Sequence, residues 1–229
     1  HYPLGIFDMS SATTAVQPLE SFEPPLRLKF DYFTDAKGAP RGVAKMPGSG
    51  PTWVTAYVSL PDQTDAPRLV GSYAKIKPPL EAYEWSLCVW NDQTANFEKL
   101  RTLWTKSEQT PKPPPFPEGH PAFWNDERGR RWVLFGNPFP TLRCPATFEA
   151  WQNPETWETL EPQPSVLSAD GQTVKPHSGS IAWNAFRQRW VTVFMQAFGA
   201  PSTFGELWYA EAKAPTGPWG KAVKVLSHD

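Results

Sequence analysis

The chain has 229 residues and a net charge of −1, with 22 Lys and Arg against 23 Asp and Glu, which argues against a nucleic-acid or anionic-membrane partner. Its 27 prolines argue against long helices, because proline removes a helical N–H and clashes with the preceding turn. No apolar run approaches the roughly 18 residues that a membrane-spanning helix needs. With 12 tryptophans and 14 phenylalanines, the composition predicts short, closely packed strands.

The first 48 residues are predicted to hold a loop followed by part of one β unit. The chain begins with His rather than Met and shows no signal-peptide pattern, so we expect a processed product or a segment of a longer protein. Residues 26–33 (LRLKFDYF) and 41–46 (RGVAKM) are predicted to form two strands around a turn. The residues before them show no clear period and are predicted to be loop.

The remainder of the chain contains a repeat. Residues 122–136 (AFWNDERGRRWVLFG) and 180–196 (SIAWNAFRQRWVTVFMQ) share Trp-Asn, a polar tip and Arg-Trp-Val. Trp124 and Trp183 are 59 residues apart, and Trp132 and Trp190 are 58 apart. A period of about sixty with several short apolar runs indicates one supersecondary unit used repeatedly.

An earlier, weaker copy of the unit begins at residues 51–60 (PTWVTAYVSL), where Trp53 is matched to Trp132. This match requires about twenty inserted residues, which we place at 61–79. Further along each unit, Phe97 precedes Trp157 by 60 residues, and Trp157 precedes Trp219 by 62.

Each unit is predicted to form four short strands. In the unit that contains Trp132 these are residues 121–125, 130–136, 142–148 and 157–162, with a proline-bearing turn at 149–156. A four-stranded antiparallel sheet that recurs at a fixed period is typical of a β-propeller blade. The predicted fold class is therefore all-β, a propeller with blades at 49–110, 111–170 and 171–229 and a partial blade and loop at 1–48. Five tryptophans are predicted to pack between the blades: Trp53, Trp132, Trp157, Trp190 and Trp219.

The blade pattern resembles that of five-bladed propeller glycosidases, the group around glycoside hydrolase family 43. The resemblance rests on the order of strands in residues 179–219 and on an Ala-x-x-Pro-x-Gly-Pro-Trp turn, here Ala212 to Trp219. It implies hydrolysis of polysaccharides or oligosaccharides by carboxylates at the mouth of a central tunnel, with the two carboxylates supplied from the starts of innermost strands. It also implies an extracellular or periplasmic location. At about sixty residues per blade the chain is short for a closed ring, so we expect it to be incomplete or completed by another chain or segment.

The resemblance points to Glu118 as the general acid, because the family carries a Glu beside a Gly at the start of an inner strand and this chain has Glu118-Gly119. Glu206 is an alternative carboxylate, with a hydrogen-bonded structural group as the competing interpretation. The family's aspartates have no match in the earlier blades, so the general base is expected to be absent or to lie outside the chain.

Three histidines precede successive inner strands: His120, His177 and His228. They are predicted to converge on one axis and to bind sugar hydroxyls, together with Asp229 and Trp183. The alternative is that each is a solvated turn residue.

No zinc spacing, phosphate loop or nucleophile elbow is present in the sequence. We therefore predict no cofactor, although a central Ca²⁺ is compatible with the resemblance. Cys88 and Cys144 are predicted to be buried thiols rather than a disulfide. The predicted partner is a carbohydrate, and the alternative to a glycosidase is a non-catalytic carbohydrate-binding or structural propeller.

Overall fold

A computed structural model describes residues 13–17, 29–198 and 206–227. Within them the chain is all-β, apart from one short helix, α1, and one 3₁₀ turn at Pro154–Thr156. The strands are β1 (Ala15–Val16), β2 (Asp31–Tyr32), β3 (Thr52–Pro61), β4 (Pro67–Lys77), β5 (Glu81–Asn91), β6 (Asn96–Thr105), β7 (Ala122–Asn125), β8 (Arg131–Gly136), β9 (Pro140–Pro145), β10 (Glu158–Thr159), β11 (Val166–Leu167), β12 (Thr173–Val174), β13 (Pro176–Asn184), β14 (Arg189–Gln196), β15 (Leu207–Ala212) and β16 (Val223–Leu226), and α1 is Phe148–Gln152.

Three four-stranded sheets dominate the fold. Their orders are β3-β4-β5-β6, β10-β9-β8-β7 and β13-β14-β15-β16, and the strand pairs whose register is defined are antiparallel. Because strands consecutive in sequence are neighbours in each sheet, every sheet is the meander of a propeller blade. The prediction of an all-β chain built of four-stranded antiparallel blades is confirmed. In sequence, the small sheet β1-β2 precedes the first large sheet and the small sheet β11-β12 precedes the third.

The chain divides into two compact units. One comprises residues 1–54 and 73–111, and the other comprises residues 55–72 and 112–229. The first unit contains β5 and β6 and a small core of four buried residues, Ala44, Met46, Tyr73 and Cys88. The second contains the second and third large sheets.

The repeated sequence pattern occupies the same place in the second and third sheets. Trp124 lies directly opposite Trp132 across the β7–β8 pair, and Trp183 lies directly opposite Trp190 across β13–β14. Trp132 and Trp190 are therefore on equivalent second strands, as the 58-residue spacing predicts, and both are buried.

The first copy of the repeat was aligned wrongly from the sequence. Residues 52–61 form the first strand of their sheet, β3, and not the second strand, while the segment interpreted as an insertion contains the whole of β4. Trp53 is consequently 43% exposed and not part of a core. The reason is the alternation of β3, in which Ala56, Val58 and Leu60 point inward and the odd-numbered positions Trp53 and Tyr57 point to solvent.

Three other local predictions need correction. Residues 149–156, where a single turn is predicted, fall into the end of α1 and the 3₁₀ turn Pro154–Thr156, with Asn153 extended between them. Thr147 caps the start of α1 by accepting a hydrogen bond from the Ala150 N–H at 3.3 Å. Residues 41–46 form only an isolated bridge, between Thr13 and Gly42, and not a strand. Of the first predicted strand, residues 26–28 lie outside the described residues, and β2 covers only two of the others.

The core of the second unit is aromatic. Phe139 stacks on Trp219 with ring centroids 5.2 Å apart, and it meets Phe194 edge to face at 6.2 Å. Trp219 is buried, as predicted, but Trp157 is only half-buried. Cys88 and Cys144 are both buried thiols, which confirms that prediction, and burial raises the pKa of Cys144 to about 12.

Candidate functional site

Glu118 lies on a turn that leads into β7 and is held on both sides. The hydroxyl of Ser72, buried in β4, donates a hydrogen bond to the carbonyl oxygen of Pro117. The N–H of Gly119 donates to the carbonyl oxygen of Thr55 at 3.0 Å, and Thr55 Oγ1 lies 3.0 Å from Ser72 Oγ. The backbone around Glu118 is therefore tied to β3 and β4.

Gly119 is required at its position. Its φ is +79°, and a Cβ added there would lie 2.1 Å from the carbonyl oxygen of Gly136. That same oxygen accepts a hydrogen bond of 2.9 Å from the N–H of His120. The turn packs directly on the end of β8, and any side chain at this position would push it away.

The pKa of the Glu118 carboxyl is raised. As a whole the residue is exposed to solvent, but the protein packed around the carboxyl removes water from the charged form and so raises its pKa above the usual value for glutamate. A carboxyl group that stays accessible and holds its proton more tightly is suited to donate that proton to a ligand.

Asn137 connects this turn to the start of the third sheet. It follows Gly136 at the end of β8, and its side-chain oxygen accepts a hydrogen bond of 2.9 Å from the N–H of Gly179 in β13. His120 and His177, both exposed, lie at the starts of β7 and β13 on this side. The convergence of the imidazoles on an axis stays a prediction.

Glu206 lies at the same end of the third sheet. The backbone N–H of Gln196 donates to its carbonyl oxygen, and Gln196 pairs with Pro176 next to His177. β15 is two strands away from β13, which corresponds to about 10 Å between their backbones. The structure therefore brings Glu206 to the same sheet end as His177, but on a strand farther out.

The Glu206 carboxylate is fully buried, and within the described part of the chain neither of its oxygens has a hydrogen-bond partner. Among the described residues the nearest cation is Lys224, with Nζ 4.0 Å from Oε1. Within the same residues no hydrogen bond supports the interpretation of Glu206 as a hydrogen-bonded structural group, which stays a prediction. A buried carboxylate without hydrogen bonds is costly.

Trp183 does not share a site with His177. The two residues are on the same strand, β13, and are six positions apart, which in an extended strand is about 20 Å. Trp183 lies near the opposite end of the sheet, where it is half exposed. His228 and Asp229 lie outside the described residues.

The sequence did not single out the three residues that position the turn: Thr55, Ser72 and Asn137. Ser72 carried a weak signal, as a small polar residue in the otherwise mostly apolar strand β4. Asn137 precedes a proline at a strand end, which predicts a turn but not a contact with residue 179.

Among the residues that the structure describes, no three His, Cys, Asp or Glu side chains group as metal ligands do. A central Ca²⁺ therefore stays a prediction from the resemblance alone. None of the helices in the described ranges has the length and apolar character to cross a membrane.

No protein-family model and no curated protein matches the chain. Among solved structures it is similar to an N-acetylgalactosamine deacetylase from F. plautii in complex with blood group B trisaccharide (14% identity, 87% of this chain and 60% of that chain, TM-score 0.48). It is also similar to a GH43_1 enzyme from Xanthomonas citri complexed with xylose (11% identity, 93% and 64%, TM-score 0.47). A third is an exo-1,5-alpha-L-arabinanase from a bovine ruminal metagenomic library (13% identity, 83% and 68%, TM-score 0.46). The chain spans about 60% of the deacetylase, and these similarities identify neither a reaction nor a ligand for it.

Proposed function

We propose that the chain belongs to a glycoside hydrolase that acts on polysaccharides or oligosaccharides, with Glu118 as its general acid. The observation that carries the proposal is the turn at residues 117–120, where an accessible carboxyl with a raised pKa is mounted on a backbone held by hydrogen bonds from Ser72, Gly119 and His120. A glutamate that served only as a solvated turn residue would need neither this anchoring nor the desolvation.

In the proposed reaction Glu118 donates its proton to the glycosidic oxygen as the bond to the sugar breaks. The proton neutralises the charge that develops on the leaving group, and a raised pKa lets the carboxyl keep its proton to a higher pH than an ordinary glutamate does. Gly119, which has no side chain, lets the turn pack against the carbonyl of Gly136 and so fixes the backbone that carries the carboxyl. His120, the next residue, is exposed and can hold a sugar hydroxyl.

Hydrolysis also needs a second carboxylate, which either activates water or attacks the sugar. Glu206 lies at the same end of the third sheet as His177, but its complete burial keeps it from contact with a substrate in this conformation. The proposal therefore assigns Glu206 no catalytic step. We further propose that the protein acts outside the cytoplasm, where polymeric carbohydrates are met.

The test is the substitution Glu118→Gln, which keeps the shape of the side chain and removes its proton. Against an aryl glycoside with a poor leaving group, kcat/KM is expected to fall by roughly 10²-fold or more. With a dinitrophenyl leaving group, which needs little protonation, the loss should be much smaller. Glu127→Gln, on the exposed β7–β8 hairpin tip, serves as the matched control and should leave both rates unchanged.

Two results would overturn the proposal. An unchanged rate in the Glu118→Gln protein would remove Glu118 from the mechanism. An absence of turnover in the parent, combined with measurable oligosaccharide binding, would instead identify a non-catalytic carbohydrate-binding module.

A further inference from the structure

A cleft separate from the Glu118 turn lies at the C-terminal ends of β7 and β13. It has a volume of about 580 Å³, which is within the range of small-ligand sites. Its floor includes the buried Trp190, and the rest of its lining combines aromatic rings with polar and cationic groups: Phe123, Trp124, Trp183, Asn125, Arg131 and Lys213.

The cleft is built from the repeated sequence pattern. Trp124, Asn125 and Arg131 come from the first clear copy, and Trp183 and Trp190 from the second. The buried Trp190 supports Trp183 edge to face, with ring centroids 6.0 Å apart. Trp183 is nevertheless 50% exposed and Phe123 is 41% exposed, so two large flat rings face solvent in one concave place, where a ligand can cover them.

The charge of the cleft is one-sided. Two cations line it, Arg131 and Lys213, and no acidic side chain does. The guanidinium of Arg131 lies over the Phe123 ring at 4.7 Å. Within the described part of the chain neither cation has a carboxylate within 4.0 Å.

Two neighbouring arginines, unlike Arg131 and Lys213, form ion pairs with carboxylates. Arg130 binds Asp126 at 2.8 Å, and Arg187 binds Glu211. The charges of Arg130 and Arg187 are therefore balanced, whereas among the described residues those of Arg131 and Lys213 are not. In a chain whose net charge is −1, two unbalanced cations beside exposed rings indicate a ligand that brings negative charge.

We infer that this cleft binds an oligosaccharide that carries an anionic group, either the carboxylate of a uronic acid or a sulfate. The apolar C–H face of a sugar ring would stack on Trp183, while the Phe123 ring packs against the guanidinium of Arg131. The amide of Asn125 would accept and donate hydrogen bonds to hydroxyls, and the anionic group would bind Arg131 and Lys213. This inference does not depend on catalysis by Glu118.

The experiment measures binding of the full chain to three probes by isothermal titration calorimetry. These are tetragalacturonate, its methyl ester and a sulfated galactan tetrasaccharide. The ester keeps the backbone of the acid and removes its charge, so we expect it to bind about tenfold or more weakly than the acid. Preference for the sulfated probe over the acid would support the anionic cleft and identify sulfate as the group bound.

The double substitution Arg131→Gln/Lys213→Gln should lower the affinity for the acid about tenfold or more and leave the affinity for the ester unchanged. Its matched control is Arg128→Gln/Lys112→Gln, two exposed cations that do not line the cleft. Trp183→Ala should abolish binding of all probes, and Trp183→Tyr, which keeps a flat ring, should retain part of it. Phe186→Ala, which removes a 94% exposed ring outside the cleft, should have no effect.

Equal affinity for the acid and the ester, or an undiminished affinity in the double variant, would overturn the inference. So would an absence of binding of all three probes to the folded parent chain. Failure of the cleft inference can be distinguished from failure of the proposed hydrolase. Glu118→Gln should leave binding to the cleft intact, and the cleft variants should still hydrolyse neutral aryl glycosides.

Discussion

The side-chain oxygen of Asn137 accepts a hydrogen bond of 2.9 Å from the backbone N–H of Gly179. This bond joins the end of β8, on which the Glu118 turn packs, to the start of β13. An exposed loop residue thereby links the ends of two sheets close to the Glu118 turn.

Replacing Asn137 by Ala should remove this bond and leave the Gly179 N–H without its partner. We expect the free energy of unfolding to fall by about 1 kcal/mol, as measured by urea denaturation. If this link between the sheets matters for catalysis, kcat/KM should fall by a larger factor than it does in Asn153→Ala, a control whose side-chain oxygen likewise accepts one backbone hydrogen bond, from the Glu155 N–H at 3.2 Å. An equal ratio of activity to stability in the two variants would show that Asn137 is structural only.

Replacing Gly119 by Ala should be strongly destabilising, by about 3 kcal/mol or more, because a backbone at φ +79° is combined with a Cβ only 2.1 Å from the Gly136 oxygen. Gly129→Ala is the matched control, since its φ of +74° is similar and no atom lies within 4 Å of the added Cβ. The control should lose about 1 kcal/mol. Equal losses in the two variants would contradict the close packing of the Glu118 turn.

The raised pKa of Glu118 predicts a pH-dependent difference between the parent and Glu118→Gln. Because the pKa of Glu118 is higher in the folded than in the unfolded protein, the folded protein binds the proton more tightly. The stability that this proton contributes is fully present below the unfolded-state pKa. It is lost as pH rises through the folded-state pKa. The Gln variant should therefore gain stability relative to the parent as pH rises across this window. Denaturation curves from pH 3 to 8 measure the difference, and partial exposure of the side chain will keep it small.

The activity of the parent should depend on the same protonation of Glu118. A general acid works only while protonated, so kcat/KM should fall as pH rises through the folded-state pKa of Glu118. In Glu118→Gln this decrease of kcat/KM with rising pH should be absent from the residual activity. Its persistence in the variant would assign the titration to another group.

The buried carboxylate of Glu206 predicts an asymmetry between two substitutions. Glu206→Gln removes a buried charge whose closest cation is 4.0 Å away, so the free energy of unfolding should be unchanged or higher. Lys224→Gln should lower it by about 1 kcal/mol or more, because it removes that cation and the contact of the ammonium with the Trp208 ring at 5.2 Å. The double variant should recover part of the loss, and a strictly additive double variant would argue against coupling between the two charges.

Residues close in sequence determined much of the architecture. The spacing of Trp124, Trp132, Trp183 and Trp190 predicts equivalent hairpins in two sheets, since strand alternation and hairpin tips depend on neighbouring residues. The same local reasoning misplaced Trp53, because an alternating apolar run looks alike in a first and in a second strand. Only the order of strands in the sheet distinguishes the two.

The candidate sites depended on contacts distant in sequence, which no local pattern encodes. Glu118 was identified from a family resemblance, but its anchoring comes from Ser72, 45 residues before the carbonyl of Pro117 that it binds. Trp183 was grouped with His177, yet strand geometry sends it to the other end of the sheet, beside Arg131 of a different hairpin. Whether an arginine is balanced by a carboxylate, as Arg130 is and Arg131 is not, is decided by where the folded backbone places each side chain, because ion pairing requires approach to within about 4 Å.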